Sequence, residues 1–332
     1  MLDNARAVVA ECLGVRADEV TFTPSGTHAC HLGVLGLLAG RTRHGDLLLV
    51  SSVEHSSVLH AGAWHAGRGG SFEKIGVDRN GRVGSDTLSA ATAEFGAPAV
   101  IALQSANPEV GACQPVTEVA AANDAPLFVD ACASVGHLPL PEGWAAAAAS
   151  AHKWGGPPGV GVLLVRKSAR WRNPFPGDER VDERATGFEN VPGALAAAAA
   201  LRATTEEQSG RAQRQLALTS ALADAARAIP DTEVFLAPGE RLPHLVAFSC
   251  LYVDGEALVS GLDRLGFAVA SGSACTASTL EPSHVLAAMG ALTHGNVRVS
   301  LGPDTDPAEV HRLARELPGL VGRLRTEAGV TR

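Results

Sequence analysis

The sequence predicts an α/β protein with a largely parallel sheet, followed by a smaller α+β portion. Short apolar, β-rich bursts alternate with helical stretches through the first two-thirds of the chain, the pattern of strands joined by helical crossovers. Near Gly193 the texture changes to long helix-favouring runs. The length, 332 residues, suits one large domain and a second, smaller one. The expected division is a large domain over 1–200 and a small C-terminal domain over 201–332.

Residues 19–23, 46–51, 71–75, 99–103, 127–130 and 160–165 read as strands. Each is short and apolar without strict alternation, as for strands covered on both faces. Residues 27–39, 54–66 and 116–122 have helical character between them. Residues 194–229 form a long helix-favouring region with a break expected near Ser209-Gly210. A strand at 245–252, a helix at 255–265, a strand at 267–270 and a final helix at 307–327 complete the series. Val297 and its neighbours place Arg298 inside a further apolar strand.

The net charge of −8 argues against generic binding to nucleic acid or anionic membranes, which calls for basic patches. No apolar run approaches the roughly 20 residues that span a bilayer. The stretch Met1-Leu2-Asp3-Asn4-Ala5-Arg6 lacks the basic and apolar regions of a signal peptide. A cytoplasmic protein is the expectation. The six cysteines form no Cys-x-x-Cys pair, so neither a zinc knuckle nor a dithiol redox motif is indicated. Five read as small core hydrophobes, and Cys275 stands apart.

Six segments carry candidate chemistry. Ser150-Ala151-His152-Lys153 runs into a Gly/Pro-rich turn, and a lysine there can bond a carbonyl cofactor while Ser150 and His152 donate to a phosphate. The plain alternative is a surface lysine before a turn. Asp130 ends an apolar strand, where open α/β sheets place ligands, and its carboxylate can keep a pyridine nitrogen protonated. It would equally serve as a helix cap. Thr23-Pro24-Ser25-Gly26-Thr27-His28 lies between a strand and a helix, so its N–H groups and the Thr27 hydroxyl suit a phosphate, or simply a cap.

In Glu54-His55-Ser56-Ser57, His55 can stack on a planar ring and move protons, or only start a helix. Ala270-Ser271-Gly272-Ser273-Ala274-Cys275 places one thiol among small residues directly after an apolar stretch, where it can meet and carry sulfur. The guanidinium of Arg298 suits an α-carboxylate, or an internal salt bridge.

With these segments in this order, the chain resembles the cysteine desulfurases of the class V aminotransferase family, over residues 5–317. Ser271-Gly272-Ser273-Ala274-Cys275, the following Leu280-Glu281-Pro282-Ser283-His284, and Ser150 to Gly161 carry the resemblance most specifically. The resemblance implies a fold-type-I homodimer that uses pyridoxal 5′-phosphate. By it, Lys153 bonds the cofactor, Asp130 faces its pyridine nitrogen, and His55 stacks on the ring. Thr27, Ser150 and His152 hold the phosphate, while Asn107 lies near the phenolic oxygen and the substrate. Arg298 takes the substrate carboxylate and Cys275 forms the persulfide.

Several positions depart from the family pattern. Members usually begin well upstream of the residue that matches Met1. His28 stands where an acid is usual, Pro108 follows Asn107 where a second asparagine is usual, and Ala133 replaces a glutamine. Gly187-Phe188 stands in place of Gly-Thr, with Thr186 just upstream. The expected activity converts L-cysteine to L-alanine and passes sulfur to an acceptor protein, such as an iron–sulfur scaffold or a thiolation enzyme. A selenocysteine lyase, an aminotransferase-like enzyme, and a weak sulfur-relay subunit that needs a partner are the alternatives.

Overall fold

A computed structural model describes residues 1–176, 183–184, 187–237, 239–271 and 282–330. Two compact units emerge. The first comprises Met1–Val77, Val83–Asn107 and Gln114–Gln208; the second comprises Asp78–Arg82, Pro108–Cys113 and Ser209–Arg332.

In the first unit the chain runs α1 (Leu2–Leu13), β1 (Val20–Thr23), α2 (Gly26–Gly40), β2 (Leu47–Ser51), α3 (Ser56–Ala66) and β3 (Ser71–Ile75). It continues through α4 (Ser85–Phe95), β4 (Val100–Ala102), α5 (Val116–Ala121), β5 (Leu127–Asp130), β6 (Trp144–Ser150), β7 (Gly161–Val165) and α6 (Val191–Glu206). The seven strands form one sheet in the order β1-β7-β6-β5-β4-β2-β3. Pairs from β3 across to β6 are parallel, whereas β7 runs antiparallel to both β6 and β1. The sheet is therefore mostly parallel, as the strand–helix alternation predicts.

Side chains of successive strand residues point to opposite faces, and the two cores follow that alternation. Leu49, Ile101, Val129, Ala147 and Leu164 face α1, α4, α5 and α6. Leu48, Val100, Phe128, Ala148 and Leu163 face α2 and α3. Both faces are buried, which is why the strands read as continuous apolar runs.

The strand β6 escaped the sequence reading because its core is five alanines, a composition that favours helix. Pairing with β5 and β7 overrides that propensity, and the small side chains let α2 approach the sheet. This approach is closest where α2 begins. A Cβ on Gly161 would stand 2.3 Å from the Ser25 carbonyl carbon and oxygen. One on Gly26 would stand 2.7 Å from Ser150 Cβ and 2.9 Å from Cys132 Sγ. Only hydrogen fits at either position.

The second unit contains α7 (Gln208–Arg227), β8 (Thr232–Phe235), β9 (Leu245–Cys250), α8 (Gly255–Arg264), α9 (His284–Ala288), β10 (Asn296–Ser300) and α10 (Pro307–Glu327). Its sheet is antiparallel in the order β10-β9-β8. Leu222, Phe248, Leu258, Val297 and Leu317 bring α7, α8 and α10 onto one core. The helix break expected at Ser209-Gly210 falls slightly earlier, at Glu207, between α6 and α7.

The strand expected at 267–270 is a correction. Gly266 adopts φ 83°, the Gly266 N–H donates to Asp263 O (2.8 Å) and the Phe267 N–H to Leu262 O (2.9 Å). These bonds close the end of α8 with a left-handed glycine, which uses the N–H that a strand would need. Only Ala270 pairs, in a single bridge with Arg298.

Because Gly161 faces backbone rather than a flexible side chain, Gly161→Ala is expected to destabilise the chain by about 1–3 kcal/mol. Denaturant unfolding of the two proteins side by side measures this. An unchanged midpoint and slope would show that α2 can move away freely.

Candidate active site

Three loops of the first unit leave the carboxyl ends of parallel strands and are stitched together. Glu54 follows β2 and is fully buried; its Oε1 accepts from the Gln104 N–H at 2.6 Å. The Gln104 side chain donates to Val53 O in the same loop at 2.7 Å, and Asn107 Nδ2 donates to that oxygen at 3.1 Å. Asn107 is thus buried and fixed beside the residues that precede His55. The Ser105 N–H donates to Asp130 O at 2.9 Å, linking the loop after β4 to the end of β5.

His55 caps α3. Its Nδ1 accepts from the Ser57 N–H at 3.2 Å and lies 2.8 Å from Ser57 Oγ. An N–H donating to Nδ1 puts the neutral ring's proton on Nε2. The Asp130 carboxylate is buried and held through Oδ1 by the Cys132 N–H at 2.9 Å. Burial, then the like charge of Asp130, pushes the Glu54 carboxyl well above the ordinary range, and the Gln104 N–H offsets this only in part.

Ser150 ends β6 and is buried, with Oγ 3.0 Å from His152 Nδ1. His152 and Lys153 are exposed on the single 3-10 turn Ala151–Trp154. Burial, then the neighbouring Lys153 cation, lowers the His152 pKa. The turn itself is anchored: Trp154 Nε1 donates to Ala197 O at 3.0 Å, and Thr204 Oγ1 donates to Trp154 O at 2.9 Å. Thr27 is exposed in the first turn of α2, where Ser25 Oγ caps the His28 N–H at 3.0 Å. Helix N–H groups at this end favour an anion.

Gly26 lies over both Ser150 and Cys132, so the anion-binding helix end, the lysine turn and the Asp130 strand end converge. The donor set is a helix N-terminus with hydroxyls, a buried carboxylate, an imidazole and an amine. It fits a phosphorylated, pyridine-bearing aldehyde: the anion, ring nitrogen and carbonyl each meet a complementary group.

In the second unit Arg298 sits on β10, opposite Ala247 on β9. Its Nη1 donates to Pro108 O at 3.1 Å. Ser283 Oγ donates to Glu109 Oε2 at 2.6 Å. Burial raises the Glu109 pKa, while Ser283, His284 and Arg298 oppose the shift. The Arg298 backbone exchanges hydrogen bonds with Ala270, at 2.7 and 3.2 Å. Cys275 and Thr186 lie outside the described residues. Phe188, in the Gly187-Phe188 departure, is 86% exposed.

The family model for aminotransferase class-V matches residues 1–313. The chain belongs to this family. Among class-V relatives, the cysteine desulfurase IscS of Methanosarcina thermophila is 32% identical, over 99% of this chain and 83% of that protein. Cysteine desulfurase IscS 1 of Archaeoglobus fulgidus is 31% identical, over 98% of this chain and 87% of its own. A solved NifS-like protein superposes with a TM-score of 0.86 at 26% identity, covering 97% of this chain and 88% of that one. DndA from Streptomyces lividans gives 0.78 at 25% identity, covering 90% and 87%. These matches confirm the fold-type-I α/β class and the resemblance read from the sequence. No helix among the described residues is long and apolar enough to cross a membrane.

The structure brings Thr27, His55, Asn107, Asp130, Ser150, His152 and Lys153 onto the first unit. Sequence reasoning passed over Glu54 and Gln104, which orient the His55 and Asn107 loops; an acid directly after a buried strand was the available clue. The fold favours the protonated form of Glu54. Its stability contribution is therefore present below the ordinary value of 4.5 and is lost as pH rises through the raised folded value. Glu54→Gln imitates that form. Unfolding titrations near pH 4.5 and at about pH 8 are expected to show the variant gaining stability over wild type as pH rises. A pH-independent difference would contradict this.

Proposed function

We propose that this chain is a pyridoxal-phosphate-dependent cysteine desulfurase that converts L-cysteine to L-alanine and passes sulfur through Cys275 to an acceptor protein. The observation that carries the reading is the convergence of Asp130, the Ser150–Lys153 turn and the start of α2 through Gly26, in a chain whose relatives bear that name over almost its whole length. The class-V family depends on this cofactor. Thr27, Ser150 and His152 would hold its phosphate, Asp130 its ring nitrogen, His55 its face and Asn107 its phenolic oxygen.

When bound, the cofactor supplies an electron sink that stabilises negative charge at the substrate α-carbon. The chain's own residues do the rest. Lys153 removes the α-proton. Arg298 takes the substrate carboxylate through its guanidinium. The Cys275 thiolate attacks the substrate sulfur and becomes a persulfide, while the carbon–sulfur bond breaks and its electron pair remains with carbon. Protonation of that carbon, and return of a proton to the α-carbon from Lys153, leave alanine. A homodimer, a cytoplasmic setting, and an iron–sulfur scaffold or thiolation enzyme as acceptor complete the reading. So does the division into a cofactor-holding domain over 1–200 and a smaller domain over 201–332 that carries Cys275.

Purified protein given pyridoxal phosphate is expected to show a visible absorbance band and to form alanine from cysteine. Lys153→Ala should lose alanine formation by between ~10² and ~10⁴-fold. Cys275→Ser should keep the band and lose persulfide transfer. Wild-type rates in the Cys275 variant would refute the nucleophile. A selenocysteine-only turnover would redirect the substrate assignment.

Arg298→Ala should raise the KM for cysteine by ~10–100-fold, the value of a charge-assisted pair. Steady-state kinetics with cysteine read this, and an unchanged KM would remove Arg298 from substrate binding.

A further inference from the structure

Three groups beneath the start of α2, two of them buried, can serve a second kind of ligand. Cys30 lies one turn beyond Gly26 on α2 and is buried. Cys132, half-buried, presses its sulfur against Gly26 and through its N–H holds Asp130. The sulfurs of Cys30 and Cys132 and a carboxylate oxygen of Asp130 all lie within 4.8 Å of one another. Two sulfurs bound at about 2.3 Å and an oxygen at about 2.1 Å around one ion have spacings inside that limit.

We propose that Cys30, Cys132 and Asp130 form a site for a thiophilic divalent cation in the cofactor-free chain. Two thiol sulfurs select a soft or borderline metal over magnesium or calcium. Cys132, open on one side, provides the entry. Binding forms two metal–sulfur bonds and one metal–oxygen bond, and releases the two thiol protons to solvent. No electron transfer is involved. Because binding releases protons from the two thiols, affinity should fall as pH falls.

One consequence rests on the role proposed above for Asp130. An ion on the Asp130 carboxylate draws off the negative charge that would keep the cofactor's ring nitrogen protonated, so metal and cofactor compete for that carboxylate.

The test titrates the cofactor-free full chain, carrying Cys275→Ser, with cadmium chloride. A thiolate-to-cadmium ultraviolet band is expected to saturate near one ion per chain, with two protons released. Cys30→Ser or Cys132→Ser should each weaken it at least tenfold. A band unchanged in both variants would overturn the site. Alkylation of Cys132, followed by peptide mass spectrometry in the unsubstituted site, needs neither variant: cadmium should slow it at least tenfold, and an unaltered rate would also overturn the site. Adding pyridoxal phosphate should displace the band. If both bands form fully together, the competition and the reading of Asp130 fail, while the metal site stands.

Discussion

Gly26 and Gly161 put backbone where any other residue would put a side chain, and the candidate site depends on that approach. With Gly161 against the Ser25 carbonyl, the first turn of α2 rests directly on the end of β7. Gly26 then covers Ser150 and Cys132 at the ends of β6 and β5. The alanines of β6 extend the same principle along the strand, because a helix can settle on methyl groups more closely than on branched side chains. The anion-binding end of α2, the Asp130 carboxylate and the lysine turn are thereby positioned by packing rather than by long side chains reaching inward.

Polar ties then set the orientation of what packing brings near. Gln104 ties the loop after β4 to the loop after β2 by two donations, to Glu54 and to Val53, and Ser105 joins the loop after β4 to the end of β5. Asn107 shares the Val53 carbonyl with Gln104, so its amide cannot rotate without breaking the tie. His55 takes its proton arrangement from Ser57 on its own helix. His55, Asn107 and Asp130 are each held by a neighbouring group: the Ser57 N–H, the Val53 carbonyl and the Cys132 N–H.

Much of this was legible in the sequence because the candidate residues follow apolar strands, and strand ends are where a parallel sheet exposes its ligand-binding edge. Asp130 and His55 are found that way, whereas the Ser150–Lys153 turn is legible from a lysine ahead of a Gly/Pro-rich turn into a strand. β6 was not legible, since alanine carries no strand preference and only its neighbours decide its state. The segment before Ala270 reads as a strand by composition, yet its N–H groups go to closing α8. The meeting of Cys30 with Cys132 leaves no spacing pattern at all, because the two approach only through the seat of α2 on the sheet.

The sheet order has a bearing on how the site comes into being. β6 and β7 are neighbours in sequence and pair locally, so the lysine turn between them needs little loop closure. β1 is different. It must bring Val20 opposite Leu164, across nearly the whole first unit, before α2 can be seated. Pairings so distant in sequence form slowly. The corner at the start of α2 exists only where that distant pairing is made, so a ligand that needs it recognises only chains in which β1 has met β7. Such a ligand shifts the folding equilibrium toward the finished state by mass action, so its concentration in the cell also governs how much chain survives unfolding.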